Sequence, residues 1–122
     1  VDIAVDTYPY NGATTTCEAL WMGVPVVTLR GPAHAARMGA SLLAAAGLRE
    51  LIADTPERYV QTCAELAADT DRLEAMRVGL RERLRASALM DEAGFTRVLE
   101  AEYRSMWRAW CEQETFEEAS RT

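Results

Sequence analysis

Cysteine is scarce in this 122-residue chain, and what there is lies scattered. Cys17, Cys63 and Cys111 form no CxxC pair and His34 is the one imidazole, so a zinc site of the usual spacing is excluded and no metal-ligand cluster is visible. The thiols read as reduced, which points to a cytoplasmic protein. Long apolar runs are also missing: none approaches the roughly 20 residues that a membrane-spanning helix needs, so a membrane role has no support. Positive charge is in deficit, with 13 basic against 19 acidic residues and a net charge of −6. Neutralising phosphates takes clustered basic side chains facing one way, which argues against unaided nucleic-acid binding. The one basic run, RVGLRERLR at 77–85, is interleaved with Leu80, Glu82 and Leu84 at helical spacing and reads as a solvated helix face. An initiator Met and a signal peptide are lacking too, and the chain opens inside a strand-like run; it is expected to be a piece of a longer protein.

What remains is the composition of an ordinary globular protein, 49% apolar and 26% charged, with length for one domain or part of one. Residues 2–6 (DIAVD) and 25–29 (PVVTL) read as buried parallel strands, and residues 14–22 between them as a helix. Gly23 and Pro25 end that helix, since Gly accepts a left-handed cap and Pro cannot continue. Strand, loop, helix and strand make a βαβ unit, whose loop after the first strand is where α/β sheets bind ligands. A loop, RGPAH, leads into a helix over about 35–46 that stops at Gly47, and residues 51–53 form a last short strand. Thr55, Pro56 and Glu57 open the next helix as N-cap, first-turn Pro and first-turn acid, with Tyr59, Val60, Cys63, Leu66 and Ala67 as its stripe. Another helix follows Asp69-Thr70-Asp71, with Leu73, Met76, Leu80 and Leu84 on one side. The final helix, about 92–111, carries Phe95, Val98, Leu99, Tyr103, Met106, Trp107 and Trp110 on a broad apolar face. Tyr103, Trp107 and Trp110 read as core or inter-lobe packing.

The stretch NGATTTCEALWMGVPVV at 11–27 begins its helix with three hydroxyls. Backbone N–H groups of a first turn lack intrahelical partners and carry partial positive charge, which phosphates exploit when a Gly lets the backbone approach and hydroxyls add donors. Gly12, Thr14, Thr15 and Thr16 supply those features after a strand end. One threonine is expected to cap the helix in any case; three in succession are harder to explain so, because β-branched residues weaken a helix. Glu18, one turn on, either accepts from ribose hydroxyls or is a solvated helix acid. His34 sits in the loop after the second strand, on the binding side or merely at the surface. Tyr8, Pro9 and Tyr10 shape the first loop, as a pocket wall or as a packed turn.

The pattern DxxPYNGxTTxCEALWMGVPVVTL resembles the donor domain of the O-linked N-acetylglucosamine transferases and their spindly-like relatives, TPR-containing glycosyltransferases of GT-B architecture. The likeness runs on through GPAHAARMGASLLAAAGLRELIA to LEAEYRSMWRAWC. It implies that Gly12, Thr14, Thr15 and Thr16 bind the donor diphosphate and Glu18 the ribose, with Asn11 and His34 in a sugar or phosphate loop. Animal members have His where this chain has Ala13, so no role of that His transfers. Glu18 is often Asp there, and Thr16 and Cys17 look more like the spindly branch, whose plant members use GDP-fucose.

The resemblance thus implies an α/β fold: the C-terminal half of a Rossmann-like GT-B donor lobe, parallel strands with flanking helices and a helical C-terminal segment. Residues 1–111 would belong to the donor domain and 112–122 to a polar tail. The expected function is transfer of N-acetylglucosamine from UDP-GlcNAc to Ser or Thr of proteins. The alternatives are fucosyl transfer from GDP-fucose and, from another class, a non-catalytic interaction module with a decayed site. No cofactor is implied beyond the nucleotide-sugar donor, the protein or peptide acceptor would bind through absent upstream regions, and no catalytic group can be assigned within these residues.

Overall fold

The computed structural model describes the backbone of residues 1–119 and side chains as far as residue 112. It divides into two compact units, the first Val1–Met90 and the second beginning at Asp91. In the first, strands β1 (Ala4–Val5), β2 (Val26–Leu29) and β3 (Ile52–Ala53) form a parallel sheet in that order. Ala4 pairs with Val26 and Val5 with Val27; on the other side of β2, Thr28 pairs with Ile52 and Leu29 with Ala53. Parallel neighbours need a crossover. Helix α1 (Thr14–Trp21) supplies the one between β1 and β2, and α2 (Met38–Ala45) the one between β2 and β3.

Both helices stop at the glycines that the sequence marks. Gly23 and Gly47 take φ of +77° and +73°, and each closes a doubly bonded turn. Val24 N–H donates to Ala19 C=O (2.8 Å) and Gly23 N–H to Leu20 C=O (3.1 Å); Leu48 and Gly47 repeat the pattern on Leu43 (2.7 Å) and Ala44 (3.1 Å). Helix α2 starts later than the sequence suggests. A 3₁₀ turn, His34–Ala36, comes first, and Arg37 at φ −122° interrupts the helical path before Met38.

Helix α3 (Pro56–Ala68) packs on β2 and β3, and α4 (Thr70–Arg85) packs on α1 and α3. Leu66, Leu80 and Leu84 join Leu20, Val26, Val27, Leu43, Leu48 and Leu51 in one core cluster. Each fully buried Leu there contributes roughly 1.5–3 kcal/mol by leaving water. Val60, expected in the α3 stripe, is 66% exposed; it stands about 100° around the helix from Tyr59, off the line through Thr62 and Leu66. The basic run on α4 is only half solvated. Arg77 pairs with Asp2 and Arg83 bridges Glu50 (3.6 Å). Arg81 donates through Nε to Trp21 C=O (2.8 Å), and the guanidiniums of Arg81 and Arg85 lie 5.3 and 5.2 Å from the Trp21 ring centre, holding the C-terminal end of α1.

The second unit is α5 (Glu92–Ala119), opened by Asp91, whose Oδ1 accepts from Gly94 N–H at 2.8 Å. It continues past Cys111, where a polar tail was expected; the side chains of 113–122 lie outside the described residues. Tyr103, Trp107 and Trp110 are 58%, 63% and 49% exposed. That corrects the core half of the reading of these rings as core or inter-lobe packing, because their unit holds no second element among the described residues to bury them against. Trp107 and Trp110 instead stack on each other at 5.4 Å. No helix among the described residues is long and apolar enough to cross a membrane.

Candidate functional site

Four of the five helices receive a side-chain acceptor at their first turn. Thr55 Oγ1 accepts from Arg58 N–H (3.2 Å) on α3, Asp69 Oδ1 from Arg72 N–H (3.0 Å) on α4, and Asp91 Oδ1 from Gly94 N–H on α5. On α2 the acceptor comes from a distant loop: Asn11 Oδ1 accepts from Gly39 N–H at 3.4 Å. Helix α1 has none. Its cap position is Ala13, so the expectation that a threonine caps it is corrected: all three lie inside the helix, from Thr14 onward, where a side chain cannot reach back to the first-turn donors.

Two of these hydroxyls turn towards Gly12. A Cβ at Gly12 would lie 2.6 Å from Thr15 Oγ1 and 2.8 Å from Thr16 Oγ1, so only glycine leaves room for them. Gly12 N–H in turn donates to Asp6 Oδ1 at 2.8 Å. Beside this cluster a cavity of about 190 Å³ opens between β1 and α1, lined by Asp6, Thr7, Gly12, Thr15 and Thr16 with apolar walls from Ala4, Val5, Ala19 and Val26. Of the diphosphate residues expected from sequence, Gly12, Thr15 and Thr16 therefore meet at one cavity. Thr16 is buried there, whereas Thr15 is exposed. Thr14 and Glu18 are exposed on α1 outside the cavity lining, one turn apart.

Asn11 lies 3% exposed. Its Nδ2 donates to Thr7 C=O (2.8 Å) while its Oδ1 serves α2, so both ends of the amide are engaged within the chain and fix the shape of the loop. Asn11 N–H also donates to Ala35 C=O (2.9 Å), which ties this loop to the turn carrying His34. His34 itself is exposed. Tyr10 is 75% exposed, and Tyr8 packs on the second loop, where a Cβ at Gly31 would come within 3.0 Å of its ring.

Asp6 is the residue whose role sequence reasoning missed. Its second oxygen, Oδ2, accepts from Thr28 Oγ1 at 2.7 Å, and its backbone carbonyl accepts from Tyr59 OH at 2.6 Å. Sequence reasoning used Asp6 as the end of the DIAVD run and as the first letter of the family pattern, and gave it no role. The available signal was a carboxylate at a strand end, six residues before a glycine.

Burial pushes the Tyr59 phenol up to about 12, helped by Cys63 and Asp6 nearby. Burial first, and the neighbouring Glu18 second, raise the Cys17 thiol, which leaves it a poor nucleophile. Among the described residues no three His, Cys, Asp or Glu side chains gather as metal ligands would.

Comparison with known proteins agrees with the fold and extends it. The family model for glycosyl transferase family 41 matches residues 1–99. A Petunia hybrida protein named probable UDP-N-acetylglucosamine–peptide N-acetylglucosaminyltransferase SPINDLY is 50% identical over 112 residues, covering 92% of this chain and 12% of its own length. The UDP-N-acetylglucosamine–peptide N-acetylglucosaminyltransferase of Caenorhabditis elegans is 34% identical over 109 residues, 89% of this chain and 10% of that protein. A solved mutant of the Thermobaculum terrenum O-GlcNAc transferase superposes with a TM-score of 0.85 at 48% identity, over 93% of this chain and 22% of that one. The chain spans about an eighth of the length of the curated plant relatives. With a family model over most of its length and half its residues shared with a relative, the chain belongs to glycosyl transferase family 41.

Proposed function

We propose that this segment holds the diphosphate and ribose of a nucleotide-sugar donor in a protein O-glycosyltransferase that moves N-acetylglucosamine from UDP-GlcNAc to Ser or Thr hydroxyls. The start of α1 carries the reading: first-turn N–H groups without a side-chain acceptor stand beside a cavity lined by Gly12 and the hydroxyl-bearing Thr15 and Thr16. Sugar transfer loads negative charge onto the departing diphosphate. Fixed N–H and O–H donors at the positive end of a helix stabilise that charge without reorganising. Glu18, exposed and without an ion pair among the described residues, would accept from the ribose. All 13 strongly basic residues are arginines, and a further cation, the acceptor site and the catalytic base would come from outside these residues. The names of the petunia and nematode relatives support UDP-GlcNAc as donor. Thr16 and Cys17, which follow the spindly branch pattern, keep GDP-fucose as the second reading.

Calorimetric titration of the full-length gene product with UDP and with GDP tests the site and separates the donors. Thr15→Ala should weaken binding of the preferred diphosphate by about 1–3 kcal/mol, the worth of a charge-assisted hydrogen bond. Unchanged affinity in that variant sinks the diphosphate assignment. Absence of binding to either nucleotide favours the non-catalytic module.

A further inference from the structure

We infer that Asp6 is a positioning residue of the diphosphate site, its carboxylate fixing the loop ahead of α1 so that Gly12 and the Thr15 and Thr16 hydroxyls keep their arrangement; this rests on the reading above. A carboxylate lining a site for a diphosphate is at first sight misplaced, since the two repel. Its geometry resolves the conflict. Oδ1 accepts from Gly12 N–H (2.8 Å) and Oδ2 from Thr28 Oγ1 (2.7 Å), so both oxygens are engaged with the protein. Thr28 is fully buried on the central strand, which makes it a rigid anchor. Gly39 of α2 closes the far side: a Cβ there would lie 2.2 Å from Asp6 Oδ2 and 2.5 Å from Thr28 Oγ1. The carboxylate is thus clamped between β2, α2 and the loop, while Tyr59 of α3 holds the same residue by its carbonyl. The one loop atom it grips belongs to Gly12, the residue on which Thr15 and Thr16 close. Asp6 therefore acts on the donor through Gly12 and not by contact.

The role depends on acceptor geometry rather than on charge, and that separates it from the alternatives. An Asn side chain can still accept from Gly12 N–H and can donate to Thr28 Oγ1, because a hydroxyl both donates and accepts. Titrating UDP into the full-length protein and its Asp6→Ala, Asp6→Asn, Thr28→Val and Thr15→Ala variants, with thermal unfolding alongside, makes the test; GDP replaces UDP if GDP is the ligand. Asp6→Ala should raise Kd about tenfold, as expected for losing a hydrogen bond to a charged group. Asp6→Asn should stay within about threefold of wild type, as geometry-preserving rescue requires. Thr28→Val should weaken binding in the same direction and keeps the proposal testable if Asp6→Ala does not fold. Wild-type affinity in a folded Asp6→Ala or Thr28→Val, with Thr15→Ala weakened, overturns the inference and leaves the site standing. Asp6→Asn as weak as Asp6→Ala overturns it as well, since charge would then be what matters. If Thr15→Ala also binds normally, the diphosphate assignment itself fails.

Discussion

The starts of α1 and α3 are built from similar residues to opposite ends. At α3, Thr55 takes the cap and accepts from Arg58 N–H, Pro56 fills the first position without a donor and Glu57 follows, so the cap is supplied from within four residues. At α1, Ala13 takes the cap, the threonines lie inside, and no side chain among the described residues accepts from the first turn. The loop before α3 fixes itself. The loop before α1 is held by partners far along the chain, Asp6 to Thr28 and Asn11 to Gly39. On the reading proposed above, the α1 start keeps its donors for a ligand and takes its support from elsewhere in the fold.

The harshest way to break the comparison is to fill the space that the distant support needs. Gly39→Ala places a methyl against Asp6 Oδ2 and Thr28 Oγ1, both too close to accommodate it without displacement. It should cost about 1–3 kcal/mol in denaturant unfolding, the usual penalty of overpacking, and weaken UDP binding as well. A variant of wild-type stability would mean that the carboxylate is not clamped.

A pair of threonine substitutions sharpens the contrast. Thr55→Ala removes a cap and should cost about 1 kcal/mol of stability with nucleotide affinity unchanged. Thr15→Ala should do the reverse, changing stability by less than about 0.5 kcal/mol, as exposed substitutions do, while losing diphosphate affinity. Equal stability losses in the two would make α1 an ordinary capped helix.

Tyr59 connects the α1 support to α3, and its contribution is pH-dependent. Its phenol is raised from an ordinary value of 10.0 to about 12, so the folded state holds the proton more tightly than the unfolded chain. The stabilisation is full below the unfolded value and is lost as pH rises through the folded one, between about 10 and 12. The difference in unfolding midpoint between wild type and Tyr59→Phe should therefore shrink across that window. A difference that stays constant there would detach Tyr59 from the titration.

What the sequence revealed divides along the same line. The helix stops at Gly23 and Gly47 and the cap at Thr55 were legible because each is decided by neighbours within a few residues, whereas the cap at Asp69 was read only as a residue ahead of its helix. The order of strands and helices followed from apolar periodicity. The Asp6–Thr28 bond joins residues 22 apart and Tyr59–Asp6 residues 53 apart, and no local pattern encodes such pairs. The Thr run was misread as including a cap where the structure puts Ala13, next to a Gly12 that Asp6 holds from six residues away. On α5 the apolar spacing was plain, but periodicity names a face without naming what covers it.

The smallest structural effect belongs to Glu18, and it tests whether the exposed side of α1 joins the site. Its carboxylate makes no hydrogen bond or ion pair within the described residues and it is exposed. Glu18→Ala should thus leave stability within about 0.5 kcal/mol. Its position one helical turn after Thr14 sets it on the face that a ribose would meet if the diphosphate sits over the helix start. An acceptor there can be isolated by removing what it accepts from. The wild type should bind the 2′,3′-dideoxy form of its nucleotide more weakly than the ribose form, by about 1.5–3 kcal/mol for hydrogen bonds to a charged group. Glu18→Ala, already without the acceptor, should discriminate little between the two. Equal discrimination by both proteins would return Glu18 to the solvent and confine the site to the cavity around Gly12.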